Sequence, residues 1–234
     1  MEDQLVRLNK YLKDGNYCSR RKADEFIAKG YVKVNGQVIT EMGHKVNPQV
    51  DVVEVLPQLN QEVSQFSYFL LNKPKGYVCS KSTLDGKTIF ELLPKNLQGL
   101  TYAGRLDKDS RGLVIVSNDG KFVYKVAGNE FKLEKVYIVK VNKPITDNFI
   151  KAQANGSIVL DGRRVRRAKV SLINSTTYSI TLTEGINRQI RRMAQNQGYD
   201  VIDLVRVAIG PIGDKGLKLG EFRVLTLDEI NLLK

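Results

Sequence analysis

Residues 158–182 read IVLDGRRVRRAKVSLINSTTYSITL and contain three apolar runs, at Ile158 to Leu160, Ala168 to Ile173 and Tyr178 to Leu182. Short runs of this kind, bounded by turn residues, are typical of β-strands. They follow one another without an intervening helix, whereas parallel neighbours need a crossover connection. The sequence therefore predicts an α+β fold with a mainly antiparallel sheet rather than a doubly wound parallel one.

The chain on either side of this stretch completes a large domain that we place at residues 66–234. Apolar runs predict further strands at Tyr68 to Leu71, Tyr77 to Cys79, Leu113 to Val116, Val136 to Val141 and Leu204 to Ile209. Helical patterns predict a short helix near Ile89 to Leu93 and longer ones at Lys121 to Ala127, Asp147 to Ala154 and Arg188 to Gln197. Asn187 is the expected cap of the last of these and Gly198 its end, and a capping box at Thr226 to Glu229 opens a final helix.

Residues 1–60 predict a smaller unit, a helix pair followed by a small sheet. A helical stripe of Leu5, Leu8, Tyr11 and Leu12 ends at Gly15. A second helix, with Ser19 as its cap, carries Ala23, Phe26 and Ile27 and ends at Gly30. The Asn35-Gly36 pair predicts a hairpin turn, and Asp51 to Val55 supplies another strand. Residues 56–65, with few apolar side chains, are typical of a linker.

The chain is strongly basic. It has 37 Lys and Arg residues against 25 Asp and Glu, a net charge of +12 and a pI near 9.6. The segment from Arg7 to Lys33 holds eight basic and three acidic residues, and Arg7, Arg20 and Arg21 are its candidate phosphate contacts. Lysines and arginines that neutralise phosphates release condensed counterions. The charge thus predicts a nucleic acid as the partner.

Composition excludes several classes of chemistry. Cys18 and Cys79 show no metal-ligand spacing, and a single histidine, His44, leaves no HExxH motif and little prospect of a histidine-based catalyst. Glycine-rich nucleotide motifs of the GxGxxG or GxxxxGK[ST] kind are missing. We therefore expect neither a metal nor a nucleotide cofactor. With no apolar run of membrane-spanning length and no signal peptide, we expect a cytoplasmic protein without a membrane partner.

Four motifs in the large domain are candidates for chemistry: Lys73-Pro74-Lys75-Gly76, residues 104–110 (GRLDKDS), Glu134-Lys135-Val136-Tyr137 and residues 187–193 (NRQIRRM). Each also has an ordinary structural interpretation. The first is typical of a turn. Asp107 is compatible with a solvated acid neutralised by Arg105 or Lys108, and Tyr137 with a half-buried strand aromatic. Spacing alone favours these interpretations.

Two clusters of arginines have their own alternatives. Arg188, Arg191 and Arg192 share one helix face near the amino end, where the helix dipole disfavours cations, so a nearby anion is expected. That anion is either a phosphate or the carboxylate of Asp107. The run at residues 163–169 (RRVRRAK) is either a phosphate-facing surface or an edge strand protected by charge.

Taken together, the motifs resemble those of the RsuA-type bacterial ribosomal RNA pseudouridine synthases. The order and spacing of Lys73 to Gly76, Gly104 to Asp107 and Arg188 to Met193 carry the resemblance, and residues 104–110, 143–146 and 184–193 are most similar to the large-subunit RluF type. Arg7 to Val55 resembles an S-four-like RNA-binding domain, and Tyr68 onward resembles the family's catalytic domain.

The resemblance implies a cofactor-free isomerisation of uridine in RNA, with base flipping. Asp107 would be the reactive carboxylate, which attacks the sugar or the base or removes a sugar proton. Tyr137 would stack on the uracil and help to remove the C5 proton, and Arg191 would pair with Asp107. Arg105 would fill the gap left by the flipped base or hold its phosphate. The remaining residues with an implied RNA contact are Leu106, Lys108, Asn187, Arg188, Gln189, Ile190 and Lys73.

The implied substrate is ribosomal RNA, with the large subunit favoured, and the enzyme is expected to be a monomer. A transfer RNA, small-subunit RNA or an assembling ribosomal particle remains an alternative substrate. A non-catalytic RNA-binding assembly factor is the rival from another functional class, although the presence of Asp107, Tyr137 and Arg191 argues against it.

Overall fold

The computed structural model describes residues 5–15, 17–18, 20–55 and 66–233. The chain divides into two compact units, Met1–Gln65 and Phe66–Lys234, which we call the N-terminal unit and the catalytic-type unit. The predicted helix cap Ser19 and the predicted linker at residues 56–65 lie outside the described residues.

The N-terminal unit contains the predicted helix pair and small sheets. Its elements are β1 (Val6–Arg7), α1 (Leu8–Asp14), α2 (Arg20–Ala28), β2 (Val32–Val34), β3 (Gln37–Val38), β4 (Lys45–Val46) and β5 (Val53–Val55). Strands β3, β2 and β5 form one antiparallel sheet, and β1 pairs with β4 in another. The two helices bury one apolar face each against these strands, which gives the unit its own core.

Local sequence signals explain how these elements end. Helix α2 closes with Tyr31 N–H donating to the Phe26 carbonyl and Gly30 N–H donating to that of Ile27, a Schellman motif in which Gly30 has a φ of +70°. The predicted hairpin turn has positive φ at both Asn35 and Gly36, as a type I′ turn requires. The helical stripe begins later than predicted, because Leu5 precedes β1 and is half exposed.

The catalytic-type unit alternates strands with short helices. Its elements are β6 (Tyr68–Lys73), β7 (Thr101–Ala103), β8 (Arg111–Ser117), α3 (Gly120–Ala127), β9 (Lys135–Val141), α4 (Asp147–Ala154), β10 (Val159–Leu160), β11 (Arg163–Arg164), β12 (Lys169–Asn174), β13 (Thr177–Leu182), α5 (Gln189–Gln195), β14 (Val201–Ile209), β15 (Ile212–Gly213), β16 (Phe222–Val224) and α6 (Leu227–Leu233). Short 3₁₀ turns occur at Ile89–Leu92, Lys95–Leu97 and Asn129–Phe131.

A nine-stranded mixed sheet organises this unit. Its main path is β12-β13-β9-β14-β8-β6-β16, with β15 beside β14 and β7 beside β8. The contact between β14 and β8 is parallel, and the other described pairings within this sheet are antiparallel. The predicted α+β class with a mixed, mainly antiparallel sheet is thus confirmed.

Both faces of the sheet are covered. Along β8, Leu113 and Ile115 pack with helices α3 and α6 on one face, while Val114 and Val116 face a cluster that includes Ile89 and Phe90. This two-sided burial explains why residues 113–116 form an uninterrupted apolar run. Tyr137 on β9 packs against this second cluster and also against the core around β13 and α5, so it lies where two cores meet.

Several predicted elements differ from the structure. Tyr77 to Cys79 forms no strand, because it contributes only an isolated bridge between Val78 and Thr88. Strands β7 and β16 escaped prediction, since each has only three residues and no clear alternation. The predicted capping box is confirmed, with Glu229 N–H donating to Thr226 Oγ1 and Thr226 N–H donating to the Glu229 carboxylate.

The parallel contact between β8 and β14 requires glycine at position 112. Gly112 pairs with Arg206 and has a φ of +113°, which side-chain-bearing residues rarely adopt. A Cβ atom at this position would collide with the backbone amide nitrogen and carbonyl oxygen of Arg206. Only hydrogen fits between the two strands.

We expect Gly112→Ala to destabilise the catalytic-type unit by at least about 2 kcal/mol, because strain and backbone overlap act together. Urea unfolding followed by circular dichroism measures the change. Gly99→Ala is the matched control, since a Cβ at Gly99 meets no atom within 4 Å. Equal stability of the two variants would contradict the close approach of the strands.

Candidate active site

The catalytic-type unit contains a cleft of about 560 Å³. Its walls come from the loop after β7, the start of strand β9 and the segment between β13 and α5. The lining includes Arg105, Leu106, Asp107, Lys135, Tyr137, Glu184, Asn187, Arg188, Gln189, Ile190 and Arg206. Eight of the predicted site residues are therefore brought together in one cavity.

The loop that carries Asp107 is held from beneath through its backbone. Gly76 N–H donates to the Lys108 carbonyl at 2.7 Å, and Leu106 N–H donates to Cys79 Sγ at 3.4 Å. Ser110 N–H donates to the carbonyl of Asp107 itself at 3.1 Å. The motif at residues 73–76 thus packs directly against the loop formed by residues 104–110. The Asp107 carboxyl group, 32% exposed, is left facing the cleft.

Lys73 supports this loop from below. Its side chain is fully buried, and Nζ donates to the carbonyls of Ser110 at 2.6 Å and Pro74 at 3.1 Å. The predicted contact between Lys73 and RNA is therefore replaced by a positioning role. Burial lowers the pKa of Lys73 to about 8, although Cys79 and the carboxylates of Asp107 and Asp109 act in the opposite direction.

A cluster of opposite charges lies at the mouth of the cleft. Arg188 donates both Nη atoms to Asp109, at 3.2 and 3.0 Å, and its Nη1 lies 3.9 Å from Asp107 Oδ2. Partial burial acts to raise the pKa of Asp109, but the Arg188 hydrogen bond and the charges of Arg191 and Arg188 outweigh it and leave that pKa below its ordinary value. Arg188 is thus the described cation closest to Asp107.

Arg191 has a different partner from the one predicted. Its Nε lies 3.3 Å from Asp109 Oδ2, and its Nη atoms donate to the carbonyls of Asp109 and Val201 and to Ser110 Oγ. Because its side chain is only 12% exposed and lies outside the cleft lining, it braces the end of the loop rather than Asp107. The predicted pairing of Arg191 with Asp107 is replaced by one with Asp109.

The segment before helix α5 forms the opposite wall. Gln189 donates from its side chain to Glu184 at 3.0 Å and accepts from Ile186 N–H at 3.1 Å, which closes the turn between them. Helix α5 begins after Arg188, which has a φ of +50° and no side-chain cap, so the predicted cap at Asn187 is wrong. Asn187 and Ile190 line the cleft on either side of this turn.

Other predicted contacts lie elsewhere. Lys108 is exposed outside the cleft lining, and its Nζ donates to the Asp85 carbonyl at 2.9 Å. Arg192 pairs with Asp161 through two hydrogen bonds. In the N-terminal unit Arg7, Arg20 and Arg21 are exposed, as RNA-contacting side chains must be.

The sequence analysis assigned no role to two charged lining residues, although one of them, Lys135, belongs to a candidate motif. Lys135 and Arg206 are nearly buried at the bottom of the cleft, 9% and 3% exposed respectively. The sequence did hold signals for both. Lys135 is two residues before Tyr137, so a strand places both on one face, and Arg206 interrupts an otherwise apolar run.

The described part of the chain offers neither a metal site nor a membrane span. Among its residues, no group of three or more histidine, cysteine, aspartate and glutamate side chains is placed to hold a metal ion. No described helix combines the length and apolarity needed to cross a membrane.

The sequence matches the family model described as RNA pseudouridylate synthase over residues 67–196 and the S4 domain model over residues 6–52. The dual-specificity RNA pseudouridine synthase RluF of Escherichia coli O157:H7 is 41% identical, with 98% of this chain and 79% of the relative covered.

Relatives named for either ribosomal subunit also match. The ribosomal large subunit pseudouridine synthase B of Bacillus subtilis is 35% identical, with 98% of this chain and 96% of the relative covered. The ribosomal small subunit pseudouridine synthase A of Haemophilus influenzae is 33% identical, with 97% and 99% covered. A crystal structure of a pseudouridylate synthase, 30% identical, superposes with a TM-score of 0.74 over 98% of this chain and all of the other.

The buried Lys73 makes a testable contribution to stability. Its folded-state pKa of about 8 lies below the unfolded value of about 10.4. Between these values the unfolded chain binds more protons, so this group makes stability rise with pH. We expect the urea midpoint of wild type to rise relative to that of Lys73→Met as the pH increases from 7.5 to 10. Lys75→Met, from the same turn, is the control; parallel pH profiles for wild type and Lys73→Met would refute the burial of this charge.

Proposed function

Because this chain belongs to the RNA pseudouridylate synthase family and isomerises uridine to pseudouridine in RNA, we propose that it modifies ribosomal RNA with Asp107 as the reactive group. The observation that carries the proposal is the cleft itself. It places the Asp107 carboxyl group with Tyr137, Arg105 and Arg188 in a cavity of about 560 Å³. A single flipped nucleotide is the substrate that such a cavity suits.

The isomerisation moves the bond from sugar C1′ to uracil from N1 to C5. A carboxylate that acts on the sugar starts it in one of two ways. It attacks C1′, or it removes the C2′ proton, and in both cases the electron pair of the C1′–N1 bond leaves with the base. The freed uracil turns, and its C5 forms the new bond to C1′. In the first route this bond displaces the carboxylate oxygen from C1′, and in the second the protonated carboxyl group returns its proton to C2′ as C5 bonds to C1′. C5 then loses its proton and N1 takes one up. Atoms balance without a cofactor, so we propose that none is used.

The side chains around Asp107 suit separate tasks. Tyr137 presents a ring between two packed cores, which is a rigid platform for stacking on uracil. Arg105 is exposed at the cleft, where its side chain reaches the space a flipped base vacates or the phosphate beside it. Arg188 takes the role first expected of Arg191, since it is the cation near Asp107.

We further propose large-subunit ribosomal RNA as the substrate class. The similarity to the large-subunit pseudouridine synthase B supports this choice, while the small-subunit relative makes the other subunit the second candidate. Transfer RNA is a third. We propose that the enzyme acts as a monomer. A ribosomal substrate places it in the cytoplasm.

We expect Asp107→Asn to abolish turnover while RNA binding persists, because the amide keeps the shape but loses the charge. Tritium release from uridine labelled at C5 measures turnover on large-subunit, small-subunit and transfer RNA transcripts in parallel. Release from large-subunit RNA by wild type alone supports the proposal. An active Asp107→Asn protein would rule out Asp107 as the reactive group. Tritium release by wild type from small-subunit or transfer RNA alone would show that large-subunit RNA is not the substrate.

The N-terminal unit should bind phosphates through Arg20 and Arg21 at the start of α2. We expect Arg20→Ala plus Arg21→Ala to weaken RNA affinity and to reduce the slope of log Kd against log salt by about one for each phosphate that is no longer neutralised. Filter binding over a salt series measures both quantities. The control, Lys121→Ala plus Lys151→Ala, removes the same charge from the exposed surface of the catalytic-type unit. An unchanged slope in the arginine variant would remove α2 from the RNA interface.

A further inference from the structure

Two cations at the bottom of the cleft have no role in the scheme above. Lys135 and Arg206 both line the cavity and are more than nine-tenths buried. Burial and the charge of Arg206 lower the pKa of Lys135 to about 8, and no carboxylate offsets them. Burying two positive charges side by side is costly unless an anion or strong acceptor joins them.

The orientation of Arg206 is fixed by its neighbours. Nε donates to the Leu113 carbonyl at 2.6 Å, and Nη1 donates to that of Arg105 at 3.4 Å. Nη2 is buried and has no hydrogen-bond partner. An orphaned buried donor needs an explanation, and here the guanidinium is held rigidly with one nitrogen free.

Strand pairing brings these groups to the base-binding side of the cleft. Arg206 on β14 is paired with Tyr137 on β9, and Lys135 precedes Tyr137 by two residues. Asp107 and Arg188 are much more exposed, at 32% and 45%, so the sugar and phosphate belong at the mouth. The base, which extends inward from the sugar, is the part of the nucleotide that reaches Lys135 and Arg206.

We propose that Lys135 and Arg206 form a cationic floor that binds the carbonyl oxygens of the flipped uracil and stabilises the uracil anion formed in the reaction. This inference rests on the proposed function. When Asp107 attacks C1′, its oxygen forms the new bond as the C1′–N1 pair moves to N1. When it instead takes the C2′ proton, the C2′–H pair forms the C1′=C2′ bond as the C1′–N1 pair moves to N1.

Both routes leave a negative charge shared among N1, O2 and O4 of the uracil. Fixed donors in a dry site stabilise such developing charge far better than water does. The floor is buried, and the guanidinium of Arg206 is preorganised by its two backbone acceptors. The charge disappears when the electron pair of the anion forms the C5–C1′ bond, after which C5 loses its proton and N1 takes one up.

The test compares single-turnover rates at saturating enzyme with RNA affinity. We expect Lys135→Met to lower the rate constant by about 100- to 1,000-fold, which is the usual effect of removing one oxyanion-hole donor from an enzyme. The RNA Kd should change by less than about twofold. Lys135→Arg should recover part of the rate. Lys140→Met, an exposed lysine on the same strand, is the control and should match wild type.

A pH profile and chemical rescue separate this role from a structural one. The wild-type rate should fall above about pH 8 as Lys135 loses its proton, and Lys135→Arg should remove that fall. The other charged or titratable groups of the cleft lining are Tyr102, Arg105, Asp107, Tyr137, Glu184, Arg188 and Arg206. Methylammonium added to Lys135→Ala should restore part of the rate.

The outcomes distinguish this inference from the function on which it rests. A Lys135→Met enzyme that turns over at the wild-type rate, while Asp107→Asn is inactive, overturns the floor and leaves the proposed function intact. Weaker RNA binding with an unchanged single-turnover rate would also overturn it, since the floor would then act only in the ground state. If Lys135→Met fails to fold, the pH profile of Lys135→Arg decides alone.

Discussion

The parallel contact between β8 and β14 is the constraint on which the site depends. Gly112 lets the two backbones approach, and this brings Arg206 under the loop that follows β7. The Arg206 guanidinium then binds the carbonyls of Leu113 and Arg105. One residue without a side chain thus allows a buried arginine to reach both the floor of the cleft and the backbone beside Asp107.

Main-chain hydrogen bonds hold the loop that carries Asp107, and the side chains of Lys108 and Asp109 add further contacts. Lys73 and Arg191 donate to carbonyls at its carboxyl end, and Gly76 donates to the middle. Backbone contacts leave the side chains of Arg105 and Asp107 free to face substrate. A side chain that must react needs a rigid support that does not itself occupy the reactive atoms, and this arrangement supplies one.

Much of the fold and part of the site could be predicted from sequence. Long apolar runs such as the one in β8, strong turn signals such as Asn35-Gly36 and the capping box at Thr226 have local causes, and the structure contains them. The partners of charged side chains could not be predicted, because they depend on which strands become neighbours. Arg191 and Lys73 have the correct motif positions but bind backbone, and the role of Arg206 becomes visible only through the register of β14.

The electrostatics of the cleft differ between mouth and floor, and the difference matches two separate requirements. At the mouth Arg188 and Asp109 are roughly half exposed, so their ion pair is worth at most about 1 kcal/mol and an incoming phosphate can replace the carboxylate at little cost. At the floor Lys135 and Arg206 are buried, where the same charges interact far more strongly. The exposed charges at the mouth therefore contribute to RNA affinity, which depends on salt, whereas the buried charges at the floor are placed to affect the rate of the chemical step. A cleft of this construction can bind RNA phosphates weakly at its mouth, while its strongest electrostatic interactions act on the base at its floor.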